Sequence, residues 1–128
     1  MTATPRAIEL TEIAAHAAAE KLASDIVAYD VSDQLAITDA FLLCTGANDR
    51  QVRSIVDEVE LQLKMAGATL KRREGENESR WVLLDYADIV VHVQNKEERI
   101  FYALERIWND CPRIALPEAA LTAKGTQS

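Results

Sequence analysis

The chain has 128 residues, 48% of them apolar, and a net charge of −7. That length holds one domain with a proper core and is too short for two, and the apolar share excludes a disordered chain. No apolar run nears the ~20 residues of a membrane helix, and the acidic balance argues against phosphate-driven nucleic-acid binding.

Glu9, Glu12 and His16 interrupt the N-terminal stretch, so no signal peptide is expected and the cytoplasm is the expected location. Thr4 before Pro5 marks a helix start, a hydroxyl cap followed by proline where its missing N–H does no harm. Leu10, Ile13, Ala14, Ala17 and Ala18 recur at helical spacing, and the alanines give a thin face that packs closely. This helix should end near Ser24-Asp25. Ile26 to Val31 predicts a first strand and Ala40 to Thr45 a second, ended by Gly46. Asn48 or Asp49 caps a second helix, whose Val52, Ile55, Val56, Val59 and Leu63 bury one face and which Gly67 stops.

Thr69 to Arg73 is a weaker strand, and its Lys71-Arg72-Arg73 run suits an exposed edge. Trp81 to Leu84, the turn Asp85-Tyr86-Ala87-Asp88, and Ile89 to Val93 form a strand pair. The second of these strands is apolar at nearly every position, so it should be covered on both faces. Asn95 with Glu98 is a capping-box pattern opening a third helix, with Phe101, Leu104, Ile107 and Trp108 as its core face and Pro112 as its stop. The order α-β-β-α-β-β-β-α implies an α/β fold, a five-stranded mixed sheet covered by helices. One domain is expected over residues 1–112, with a mobile tail over 113–128.

Little in this order carries chemistry. Gly46-Ala47-Asn48 is a plain strand-to-helix turn, since neither phosphate-loop pattern occurs. Asp85 and Asp88 are three apart across a turn, not on alternate positions of one strand as a two-metal site asks, so turn capping is the expected role. His92 lies within an apolar strand, which favours a hydrogen-bonded buried histidine over a general base. Cys44 suits a small core position, and Cys44 with Cys111 makes neither a disulfide framework nor a zinc site. Trp81 is open between a core residue and an interface anchor. No metal or cofactor is expected.

Several segments together resemble the ribosomal silencing factor (Iojap-like) family. They are DIVAYDV from Asp25, TDAFLLCTG from Thr38, NDRQV from Asn48 and EGE from Glu74. RWVLLDY from Arg80, DIVVHV from Asp88 and FYALERIW from Phe101 complete the set. The similarity runs from about Ala14 to Trp108 and leaves the tail after Cys111 outside it. It implies a nucleotidyltransferase-like fold without the catalytic motif, and a protein that is not an enzyme. The partner it implies is the large ribosomal subunit, bound through its ribosomal protein fourteen, with joining of the small subunit blocked and translation lowered under nutrient limitation. Trp81 then matches the family's partner-facing tryptophan. Asp85, Tyr86 and Asp88 match its aspartate-rich turn, and Glu74 and Glu76 its acidic segment. Gln94 stands where relatives often carry an apolar residue. Monomer and homodimer both stay open. The alternative function is a nucleotidyltransferase-like enzyme or nucleotide-binding protein.

Overall fold

The computed structural model describes residues 2–121. In chain order the elements are α1 (Pro5–Glu20), β1 (Ser24–Asp30), β2 (Ala40–Gly46), α2 (Asp49–Met65), β3 (Arg72–Glu74), β4 (Trp81–Asp85) and β5 (Ile89–Asn95). Then follow α3 (Lys96–Tyr102), α4 (Leu104–Ile107), β6 (Arg113–Ile114) and α5 (Glu118–Leu121). One sheet takes the order β3-β4-β5-β2-β1-β6. The pair β2 and β5 is parallel, from Ala40 opposite Ile89 to Gly46 opposite Asn95, and every other pairing is antiparallel.

The sheet is mixed and helix-covered as expected, but it has six strands rather than five. The sixth comes from the stretch assigned to the tail: Arg113 and Ile114 pair with Tyr29 and Ala28. A two-residue strand offers no alternation to detect, so its pairing is set by the edge of β1 that it meets. Within the rest of the expected tail, Glu118–Leu121 form α5, and residues 122–128 lie outside the described residues.

Both central strands are buried along their whole length, which needs cover on both faces. On the first face α1 and α2 pack over Leu42, Cys44, Val82, Leu84, Val91 and Val93. The small residues Ala7, Ala14 and Ala18 bring α1 close, and α2 presents Val52, Ile55, Val59 and Leu63. Both caps match the sequence pattern: Thr4 Oγ1 accepts from the Ala7 N–H at 3.1 Å and Asn48 Oδ1 from the Gln51 N–H at 2.9 Å. Gly46 sits where a Cβ would meet Val52 at 3.0 Å, so its bareness lets α2 leave the sheet at once. Gly67 stops α2 with φ +88°, which L side chains rarely adopt.

The second face has a thinner cover. Val27, Tyr29, Phe41, Leu43 and Val90 meet Leu104 and Cys111, with Trp108 packed alongside. The Trp108 ring stands edge-on to Phe41 at 4.8 Å. The expected single third helix is broken. Ala103 turns left-handed (φ 44°, ψ 53°), separating α3 from α4. Phe101 and Ile107, expected in the core, are therefore 79% and 64% exposed, while Leu104 stays buried. The capping box forms only in part. Asn95 Oδ1 accepts from the Glu98 N–H at 2.9 Å, but the Asn95 N–H donates to the Arg80 carbonyl and Glu98 pairs with Arg80 at 3.0 Å.

Left-handed alanine carries a steric penalty that glycine does not. Ala103→Gly should therefore stabilise the fold by about 1 kcal/mol, read as a raised midpoint with unchanged slope in urea unfolding. A lowered midpoint would show that the break at Ala103 is unstrained.

Candidate partner-binding surface

Alternation along β4 sorts the expected site residues between two faces. Trp81, Leu83 and Asp85 point to the second face, and Val82 and Leu84 to the α1–α2 core. Tyr86 follows the latter parity. It is only 5% exposed and packed in the first core, and burial pushes its hydroxyl up to about 12. Tyr86 thus contributes to the core and offers little surface to a partner.

Trp81 lies at the margin of the second-face core. It is half-buried and packs against the second-face core. Its indole Nε1–H donates to His92 Nδ1 at 3.1 Å, and its ring lies 4.8 Å from Tyr102. Acceptance at Nδ1 requires a neutral imidazole with its proton on Nε2. His92 is buried, and burial pushes its pKa down to about 4. This is a structural histidine, as its apolar strand predicts. The Cys44 thiol lies in the core of the other face, donates to the His92 carbonyl at 3.8 Å, and is pushed up to about 12 by burial.

The turn after β4 is self-capped. Asp85 Oδ1 accepts from the Ala87 N–H at 2.8 Å, while the Tyr86 N–H donates to the Ile89 carbonyl at 2.9 Å. Asp85 also approaches Arg72 at 4.0 Å. Asp88 has an exposed side chain, and its carbonyl accepts from the Asp39 N–H at 2.9 Å. Glu74 is exposed on β3, opposite Leu83, and pairs with Arg72 at 2.8 Å. Glu76 is exposed in the loop between β3 and β4.

These residues do not form one compact patch. Trp81 and Asp85 stand at opposite ends of β4, roughly 13 Å apart at strand rise. The basic run at Lys71 to Arg73 lies at the exposed edge as expected, with Arg73 ion-paired to Glu60 of α2. The turn before α2 is equally self-contained. The Ala47 N–H donates to Gln51 Oε1 at 2.5 Å and Asn48 accepts from Gln51, so an anion finds these groups already engaged. The cleft of about 500 Å³ beside them is lined by Asn48, Asp49, Arg80, Asn95, Lys96 and Glu97, a mixed-charge set.

Sequence periodicity missed the exposed group on α3 and α4: Ile100, Phe101, Tyr102 and Ile107. One signal was available. Adjacent helical residues diverge by about 100°, so Phe101 and Tyr102 cannot both face one core.

Comparison with known proteins gives a consistent result. The family model described as "Ribosomal silencing factor during starvation" matches residues 4–128, including the stretch after Cys111 that the resemblance left outside. A ribosomal silencing factor of Bacillus subtilis is 44% identical over 103 residues, covering 80% of this chain and 87% of the relative. A crystal structure of a Bacillus halodurans protein superposes with a TM-score of 0.75 at 38% identity, covering 84% of this chain and 98% of that one. A crystal structure of a Chromobacterium violaceum protein gives 0.77 at 31% identity, covering 88% and 95%.

The Trp81–His92 bond ties stability to pH. The folded-state pKa of His92 lies below the unfolded value of 6.5, so its contribution is intact above 6.5 and is lost as pH falls towards about 4. Nitrogen-detected NMR should show neutral His92 with the proton on Nε2 at pH 7. Trp81→Phe, which strands Nδ1, should cost about 1–3 kcal/mol of stability. An imidazole that titrates near 6.5 in the folded protein would contradict the buried bond.

Proposed function

The chain belongs to the ribosomal silencing factor family, and from that membership we propose that it binds the large ribosomal subunit through that subunit's ribosomal protein fourteen and blocks joining of the small subunit. Translation then falls under nutrient limitation. The observation that carries this reading is the family match across residues 4–128. The protein works in the cytoplasm, by occupying a surface and not by chemistry.

Charge supports this choice of partner. At −7 the chain is repelled by bare RNA, whereas a basic ribosomal protein attracts it. An acidic protein thereby works on an RNA-rich particle by docking on exposed protein. Trp81, Asp85, Asp88, Glu74 and Glu76 remain the proposed contact residues, with Trp81 as the apolar anchor and the carboxylates as a steering rim. Tyr86 supports them from the core. The nucleotidyltransferase-like fold without its catalytic motif belongs to the same proposal. A transferase reading finds little support in the carboxylates, since Asp85 is engaged in its own turn and Asp88 lies beyond the strand end.

Purified protein should sediment with isolated large subunits and not with small ones, and saturating protein should lower the yield of joined ribosomes. Reassociation that proceeds unchanged would remove the silencing reading. Asp85→Asn with Asp88→Asn should slow association several-fold at low salt and little at high salt, with dissociation nearly unchanged. Rates equal to wild type at low salt would take the acidic turn out of the contact. Magnesium-dependent nucleotide transfer, abolished by the same changes, would favour the enzyme instead.

A further inference from the structure

Arg99 is a buried cation beneath the thinner cover. Its guanidinium donates from Nη1 to Thr45 Oγ1 of β2 at 2.8 Å and from Nε to Glu105 Oε2 of α4 at 3.0 Å. One side chain thus joins the sheet, α3 and α4. The Arg99 carbonyl also accepts from the N–H of left-handed Ala103 at 3.1 Å.

The spacing of the ion pair is informative. Residues six apart in a continuous α-helix lie about 9 Å along the axis and about 120° round it, and only those three or four apart are neighbours. Arg99 and Glu105 therefore pair only while the helix is broken between them. The core sets the same condition. Leu104 is buried and Trp108 packs on Phe41. On a continuous helix these two would sit about 140° and about 180° round from Arg99. All three reach the sheet only across a break.

A second packing of the same residues needs no break. Phe101, Leu104 and Trp108 fall within about 60° of one another on a continuous helix. That face buries Phe101, now 79% exposed, and turns Arg99 out to water. Each packing carries a penalty. The broken one holds an alanine at φ 44° and leaves Glu105 Oε1 buried with no hydrogen-bond partner among the described residues. The continuous one gives up the Arg99 bonds. It also gives up the Arg80–Glu98 pair at 3.0 Å, whose partly exposed charges contribute little.

We infer that the α3–α4 cover is a two-state element, and that the buried Arg99–Glu105 pair is the lock that selects the broken state. Buried ion pairs add little net stability, and their best-attested use is to select one packing over another. Locked, the cover presents Phe101 to solvent; released, it withdraws that ring into the core. The lock acts within the chain and does not depend on the proposed ribosomal role.

Nuclear Overhauser spectra of the full chain test this, with a thermal melt of each variant. The wild type should show the strong intraresidue Hα to N–H contact of a positive φ at Ala103, and no helical contact from the Tyr102 Hα to the Glu105 N–H. Arg99→Glu sets two carboxylates against each other. The Ala103 contact should then be lost, the Tyr102–Glu105 contact should appear, and the Phe101 ring should gain contacts to the second-face core. Adding Glu105→Arg restores opposite charges and should bring back the wild-type pattern, which a merely structural loss would not do. Should Arg99→Glu fail to melt cooperatively, Glu105→Gln applies the same criterion more mildly and should show both patterns side by side. A left-handed Ala103 that persists in every folded variant would overturn the lock and leave the break to the packing of Leu104 and Trp108. A charge swap that fails to restore the break would remove the ion pair from the account, and a wild type with the continuous pattern would overturn it outright.

Discussion

The parallel pairing of β2 with β5 is the constraint on which the rest of the structure depends. Two adjacent strands buried on both faces cannot stand without two covers. The right cover for the first face is generous: two helices of 16 and 17 residues, one narrow and alanine-rich, the other branched and bulky. The second face receives two short helices of seven and four residues. That inequality leaves the β4 side of the second face half-open. Trp81 and Leu83 are half-buried there, on a strand that the centre of the sheet holds rigid. A surface so placed is preorganised, which favours binding over folding on contact.

The second cover also lies on a more polar layer. Thr45, His92 and Gln94 point to it from the central strands, and Arg99 reaches down to Thr45. Gln94 is fully buried, yet among the described residues neither its amide oxygen nor its nitrogen has a hydrogen-bond partner, and the same holds for His92 Nε2. Each such group costs about 1–3 kcal/mol relative to a paired one. The α1–α2 layer carries no comparable load among the described residues: its core is largely aliphatic, and the buried Thr11 hydroxyl donates to the Ala7 carbonyl at 2.7 Å. Gln94, at a position where an apolar residue would suit the layer better, is the clearest local conflict in the chain.

Most of the architecture was legible because its signals are long and periodic. The α2 stripe from Val52 to Leu63, the Thr4 and Asn48 caps, and the unbroken apolar run of β5 all led to the elements observed. What failed did so for identifiable reasons. The repeat Phe101, Leu104, Ile107, Trp108 is a sound helical stripe, but it presumes an uninterrupted helix, and left-handed Ala103 rotates its two halves apart. Tyr86 was expected at a surface because it matches the family's aspartate-rich turn. Strand parity carried past Asp85 places it in the core. The pair Arg113–Ile114 was too short to show a pattern at all. Trp81 divided evenly between core and interface in sequence, and the structure shows why: its indole N–H is used inwardly while its ring extends towards Tyr102.

The central claim is that the second sheet face, with its thin cover, is the side that meets the ribosome. A cryo-electron microscopy structure of the chain bound to the large subunit tests it most directly. The account predicts density on the subunit-joining surface, with Trp81 and Tyr102 turned towards ribosomal protein and the α1–α2 layer facing away. A complex in which α1 and α2 make the contact, or in which the chain binds away from the joining surface, would contradict it.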